Sequence, residues 1–159
     1  MPAISVKIGN SLDEWTRTRQ AESLQIHLAA ALDLKLQAKQ LHWNVKGPNF
    51  FSLHQLFDRV AEELEAHSDT LAERAVQLAG SVEGAALQAS SKLPPVPSGP
   101  IPGPQAVEHL SLVLGQFGQR VREASEQAAS SGDADTADIF TEVSRGVDKL
   151  LWFVEAHAQ

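Results

Sequence analysis

The chain has no cysteine among its 159 residues. That excludes disulfides, thiolate zinc sites, iron–sulfur clusters and cysteine nucleophiles, and it suits a reducing compartment. Long apolar runs are missing too: nothing approaches the ~20 residues needed to cross a membrane. The opening Met1-Pro2-Ala3-Ile4-Ser5-Val6-Lys7 lacks the apolar stretch of a signal peptide. A cytoplasmic location without membrane partners is the expectation. Positive charge is scarce. Thirteen Lys and Arg stand against 20 Asp and Glu, a formal net charge of −7; this argues against a body that coats nucleic acid and favours cations as small partners. Walker loops, dinucleotide glycine fingerprints and nucleophile elbows do not occur.

What is present is the length of one domain in an ordinary globular composition. Gly and Pro are absent between Asn10 and Leu41 and again from Phe50 to Ala79, with Gly47-Pro48 between and Gly80 after. Pro94, Pro95, Pro97, Pro100, Pro102 and Pro104 make residues 81–104 a crossover loop with room for one short helix near 81–91. Helical composition resumes from Leu110 to Ser130, and after Ser131-Gly132 it runs to the end. Ser11-Leu12-Asp13-Glu14 and Ser52-Leu53-His54-Gln55 fit capping boxes. Leu53, Leu56, Phe57, Val60, Leu64, Leu71, Ala75 and Leu78 recur at helical spacing. The expected fold is an all-α four-helix bundle with one long crossover between helices two and three, after a short tail over residues 1–10; bundles with one long crossover include the ferritin-like folds.

The second helix carries two pairs of potential metal ligands at i, i+4: His54 with Asp58, and Asp69 with Glu73. Asp58 and Asp69 lie eleven residues apart, which places them on one stripe but roughly 16 Å apart along the axis. Metal–ligand bonds are near ~2 Å, so one chain cannot close both pairs on one ion. Two copies can, if the helix packs antiparallel against itself about a two-fold axis near Glu63 and Leu64. His42, before the Gly47-Pro48 turn, is a third candidate. Two imidazoles and three carboxylates suit a redox-active iron better than a structural zinc. Asp58, Glu62, Glu65, Asp69 and Glu73 equally describe a solvated acidic face, and spacing alone does not choose. The Glu-x-x-His motifs of intrachain di-iron bundles are absent.

Lys39-Gln40-Leu41-His42-Trp43-Asn44-Val45-Lys46-Gly47-Pro48, with Phe50, Leu53-His54, Phe57-Asp58 and Asp69-x-x-Ala72-Glu73-Arg74, closely resembles the Dps family of mini-ferritins. Gly132-Asp133-Ala134-Asp135-Thr136-Ala137-Asp138 and Asp148-Lys149-Leu150-Leu151-Trp152-Phe153 are similar to it as well. The resemblance implies a hollow dodecamer with a short extra helix in the crossover. It implies di-iron ferroxidase centres shared across the two-fold interface, with His42, His54 and Asp58 from one subunit and Asp69 and Glu73 from the other. Fe(II) would be oxidised, by preference with hydrogen peroxide rather than oxygen, and kept as a ferric mineral core, which protects against oxidative stress. Trp43 resembles a tryptophan thought to intercept stray oxidising equivalents, or it is an aromatic anchor for the end of the first helix. Asp138 matches a region that lines iron-entry pores; Asp133 and Asp135 read as ordinary helix-dipole partners. The alternative is a nucleoid protein that binds and protects DNA. Such members use Lys- and Arg-rich tails, whereas the first ten residues here hold one cation, Lys7, and nothing after Lys149 is basic. Weak or absent DNA binding is expected.

Overall fold

The computed structural model describes residues 7–79 and 81–158. Most of the expected tail and the Gly80 break lie outside the described residues. Four long helices carry the fold: α1 (Glu14–Asn44), α2 (Phe50–Ala79), α4 (Gly103–Ser130) and α5 (Ala134–Glu155). The crossover contains a short α3 (Gly84–Leu87), continued by a 3₁₀ turn at Gln88–Ser90. The last two residues of the Pro-rich stretch belong to α4, because Pro104 has the φ of a first helical turn and no N–H to waste there. Among the described residues no helix is long and apolar enough to cross a membrane.

Neither expected capping box forms. Asp13, not Ser11, caps α1: its carboxylate accepts from Thr16 N at 3.0 Å and from Thr16 Oγ1 at 2.7 Å. A charged acceptor at the positive end of the helix outcompetes a hydroxyl two residues earlier. α2 begins two residues before Ser52, whose hydroxyl donates to Asn49 O instead. Gly47, at φ +120°, makes the reversal that allows this early start.

α1 packs on α2 and α4 on α5, and the two hairpins close around Leu24, Leu34, Phe57, Leu64, Leu114, Phe117, Phe140 and Leu150, all within 1% of full burial. A two-residue parallel pairing, Val45 with Ile101 and Lys46 with Pro102, joins β1 (Val45–Lys46) to β2 (Ile101–Pro102). It ties the α1–α2 turn to the end of the crossover. Gln37 and Gln40, one turn apart on α1, donate to the carbonyls of Pro94 and Pro97 at 3.0 Å each. The crossover prolines lack N–H groups, so side chains of α1 do the anchoring.

Candidate metal centre

The α1–α2 turn sets His42, in the last turn of α1, beside His54 in the second turn of α2. Their rings stack with centroids 3.7 Å apart and planes 19° from parallel. His42 Nδ1 donates to His54 O at 2.7 Å, and His54 Nδ1 donates to His42 O at 2.9 Å. A carbonyl can only accept, so both rings carry a proton on Nδ1, and in the neutral ring the lone pair is on Nε2. The His42 carbonyl is one of the last four of α1, which the helix leaves without backbone donors; His54 fills that vacancy. Backbone bonds of this kind fix ring orientation and tautomer in metal sites.

Asp58 lies one turn after His54 on α2. It lines the same open cavity of about 380 Å³ as both histidines, with Glu62 and Phe51. Its carboxylate accepts from Lys39 Nζ at 2.6 Å. That bond is the main cause holding the Asp58 carboxyl below the usual carboxylate range; the charge of Lys39, and of either imidazole when it is protonated, adds to it, and desolvation opposes it. Lys39 also lies 6.0 Å from the Trp43 ring centre. Trp43 itself is 61% exposed and is no part of the core.

Asp69 and Glu73 do not join this face. Both are exposed, and Asp69 lines a separate groove of about 340 Å³ floored by Leu28, Leu32, Ala72 and Val82. Among the described residues no three His, Cys, Asp or Glu side chains of one subunit converge on a metal-sized site. Between the two half-sites, Lys35 pairs with Glu65. Asp58 and Glu65 thus have ammonium partners from α1, whereas among the described residues Asp69 and Glu73 form no ion pair.

At the other end of α2, Asp133 is buried and caps α5, accepting from Thr136 N at 3.0 Å and Thr136 Oγ1 at 2.6 Å. Arg74, also buried, donates to its Oδ1 at 2.8 Å. Asp133 is therefore a structural cap with a guanidinium partner as well as a dipole partner. Asp135 is exposed, 3.9 Å from the same guanidinium. Asp138 is exposed and outside this network. The sequence alone assigned no role to Lys39 or Arg74. Lys39 stands three residues before His42, one turn away on the same face, and that spacing was the available signal.

The described geometry matches known proteins closely. A family model described as "Ferritin-like domain" matches residues 21–159. The chain is 40% identical over 156 residues, 96% of each chain, to a DNA protection during starvation protein of Agrobacterium fabrum. It is 36% identical over 126 residues to a protein of that name from Brevibacillus brevis, covering 77% of this chain and 83% of that one. Among solved structures it resembles DpsC from Streptomyces coelicolor, with TM-score 0.91, 26% identity and coverage of 99% and 96%. It is also similar to Mycobacterium smegmatis Dps, with TM-score 0.89, 26% identity and coverage of 97% and 89%. Fold, helix order and sequence together place this chain in the ferritin-like family, as a member of its Dps branch.

Proposed function

We propose that this protein is a ferroxidase and iron store whose substrate is Fe(II), oxidised at a centre built from two subunits. The observation that carries this reading is the reciprocal tethering of His42 and His54. Each Nδ1 is committed to a backbone carbonyl, so each Nε2 is free to bind a cation beside the anionic Asp58. Two neutral imidazoles and a carboxylate fit Fe(II). They make an incomplete set, and Asp69 and Glu73 on the same stripe supply the remainder when a second α2 lies antiparallel. The assembly is a homo-oligomer, a hollow dodecamer in the reading adopted here.

Two Fe(II) ions give one electron each to hydrogen peroxide. With two protons the O–O bond is cleaved to two waters, and no hydroxyl radical is released. The chain's part is to hold the two Fe(II) substrates close together and to present donor atoms to them. Lys39 holds Asp58 in its ionised form, and the Nδ1–H bonds fix both rings so that Nε2 is the atom left to meet a cation. Ferric product is stored as a mineral within the shell, Trp43 intercepts stray oxidising equivalents at the rim, and Asp138 lines an entry route for Fe(II). The cysteine-free chain suits the cytoplasm, where such chemistry limits oxidative stress.

Anaerobic addition of Fe(II), followed by hydrogen peroxide, tests the reading. Stoichiometric oxidation to a soluble ferric core, faster with peroxide than with oxygen, is the expected result. Oxidation no faster than in buffer would refute it. A second reading comes from the names of the curated relatives, which speak of DNA protection. With a charge of −7 and no cationic cluster in either tail, binding of duplex is expected to be weak at physiological salt. Gel retardation that is tight and steeply salt-dependent would favour the DNA role instead.

A further inference from the structure

The stripe of α2 that carries the candidate ligands is polar through its middle and apolar only at its ends. Gln55, Asp58, Glu62, Glu65, Asp69 and Glu73 occupy the middle, with Phe51 at one end and Val76 at the other. At about 100° per residue all eight fall within a sector about 80° wide. Phe51 is 68% exposed and Val76 44%, so neither serves the core of its own subunit. Beside Phe51, Trp43 and Phe50 also face solvent. Near Val76 lies the apolar groove floored by Leu32, Ala72 and Val82. Knobs therefore sit at one end of the helix and a receptacle at the other, the arrangement that a self-complementary two-fold contact requires.

The ligand register fixes what meets what. The shared centre sets His54 opposite Glu73 and Asp58 opposite Asp69. Phe51 lies three residues before His54, and Val76 lies three residues after Glu73. The same register therefore puts Phe51 against Val76 at both ends of the seam, without adjustment. The middle cannot supply the attraction, because Glu62 of each subunit comes opposite Glu65 of the other. Lys35 offsets part of that repulsion by pairing with Glu65.

We infer that a second copy of this chain covers this face, with Phe51 of each subunit seated against Val76 and the adjoining groove of the other. These two apolar contacts set the register in which the metal site closes. The inference rests on the two-fold sharing proposed above. It adds the residues that hold the copies in place before any Fe(II) arrives: apolar burial drives association, and the acidic centre gains from it only once cations enter.

The chain lacks cysteine, so a disulfide can report the register directly. Phe51 and Val76 of one subunit are about 37 Å apart along the helix, too far for an intrachain bridge. The double variant Phe51→Cys with Val76→Cys, oxidised mildly in chelator-treated protein, should run as a covalent dimer on non-reducing gels. Gln55→Cys with Val76→Cys, one turn out of register, should cross-link at least tenfold less. Equal or stronger cross-linking of the shifted pair, or none in either, overturns the inference. As a second measure, Phe51→Asp should weaken association of the two-fold pair by about tenfold or more in analytical ultracentrifugation, with helicity unchanged by circular dichroism. Unchanged association would also overturn it. Cross-linking needs no iron, so the two readings fail separately. Normal ferroxidation without the cross-link removes the Phe51–Val76 contact alone, and the cross-link without ferroxidation removes the ferroxidase reading alone.

Discussion

At its N-terminal end α2 presents donors that are oriented before any cation arrives. His54 is locked to His42 through two backbone carbonyls, and Asp58 is held by Lys39. At its C-terminal end Asp69 and Glu73 form no ion pair among the described residues and are exposed, Asp69 beside an apolar groove. The difference lies in what α1 contributes. Near the turn, α1 supplies His42, Trp43 and Lys39; eleven residues further along α2 it offers only Leu28 and Leu32 to the groove. His54 and Asp58 are thus organised within the subunit, whereas in the reading proposed above Asp69 and Glu73 await a second subunit to organise them.

The strongest way to break this contrast is to destroy each half separately and then mix. A variant with His54→Ala and Asp58→Ala, and another with Asp69→Ala and Glu73→Ala, should each lose rapid Fe(II) oxidation by about 100-fold or more. Co-assembled from two tagged chains, each mixed interface keeps one intact centre, and activity should recover towards half that of wild type. Verified mixed interfaces that stay inactive would show that the halves do not combine.

Next in size is the anchor of the far end. Arg74→Ala leaves the Asp133 carboxylate buried without its guanidinium, and loss of a buried partner costs about 3–5 kcal/mol. Urea unfolding should move by that amount. A change below about 1 kcal/mol would mean that Asp133 draws its stability from Thr136 alone.

Lys39→Gln probes the organised half more gently. The ammonium both occupies an Asp58 oxygen and repels cations, and an exposed pair of this kind is worth about 0.2–1 kcal/mol. Calorimetric binding of Co(II) should therefore tighten by up to about fivefold. Weaker binding would show that Lys39 matters as an organiser rather than as a competitor.

The smallest effect concerns acid. His27 is buried between α1 and α4; its Nδ1 donates to Ser23 O at 2.7 Å, and Nε2 lies 3.2 Å from Arg120 O. Burial depresses its pKa, only partly opposed by the two carbonyls. The unfolded chain thus binds a proton more readily than the folded one, and stability falls as pH drops below about 6.5. Chemical denaturation between about pH 7 and 5 should show this decline, and His27→Gln should flatten it. An unchanged slope in the variant would assign the decline to other groups.

Much of the architecture was legible in the residues. Uninterrupted runs at helical spacing gave the four helices, and the prolines of 94–104 gave the crossover, because both depend on local backbone chemistry. Helix starts are less legible, because they depend on local competition for the cap and on turn geometry. Asp13 prevailed over Ser11 by charge, and Gly47 let α2 begin before Ser52. The β1–β2 pairing left no trace, since two residues carry no periodicity. Lys39 and Arg74 escaped notice because their partners lie 19 and 59 positions away in the chain.

Spacing along α2 by itself determined that His54 and Asp58 lie one turn apart, that Asp69 and Glu73 do likewise, and that one chain cannot bring the two pairs together. A rigid helix with a fixed rise allows no other conclusion. Only the tertiary structure decided which ring nitrogens are free, that Lys39 claims Asp58, and that Asp133 is buried as a cap under Arg74. Those outcomes depend on how α1 and α5 approach α2, and that approach is set by core packing between residues far apart in sequence.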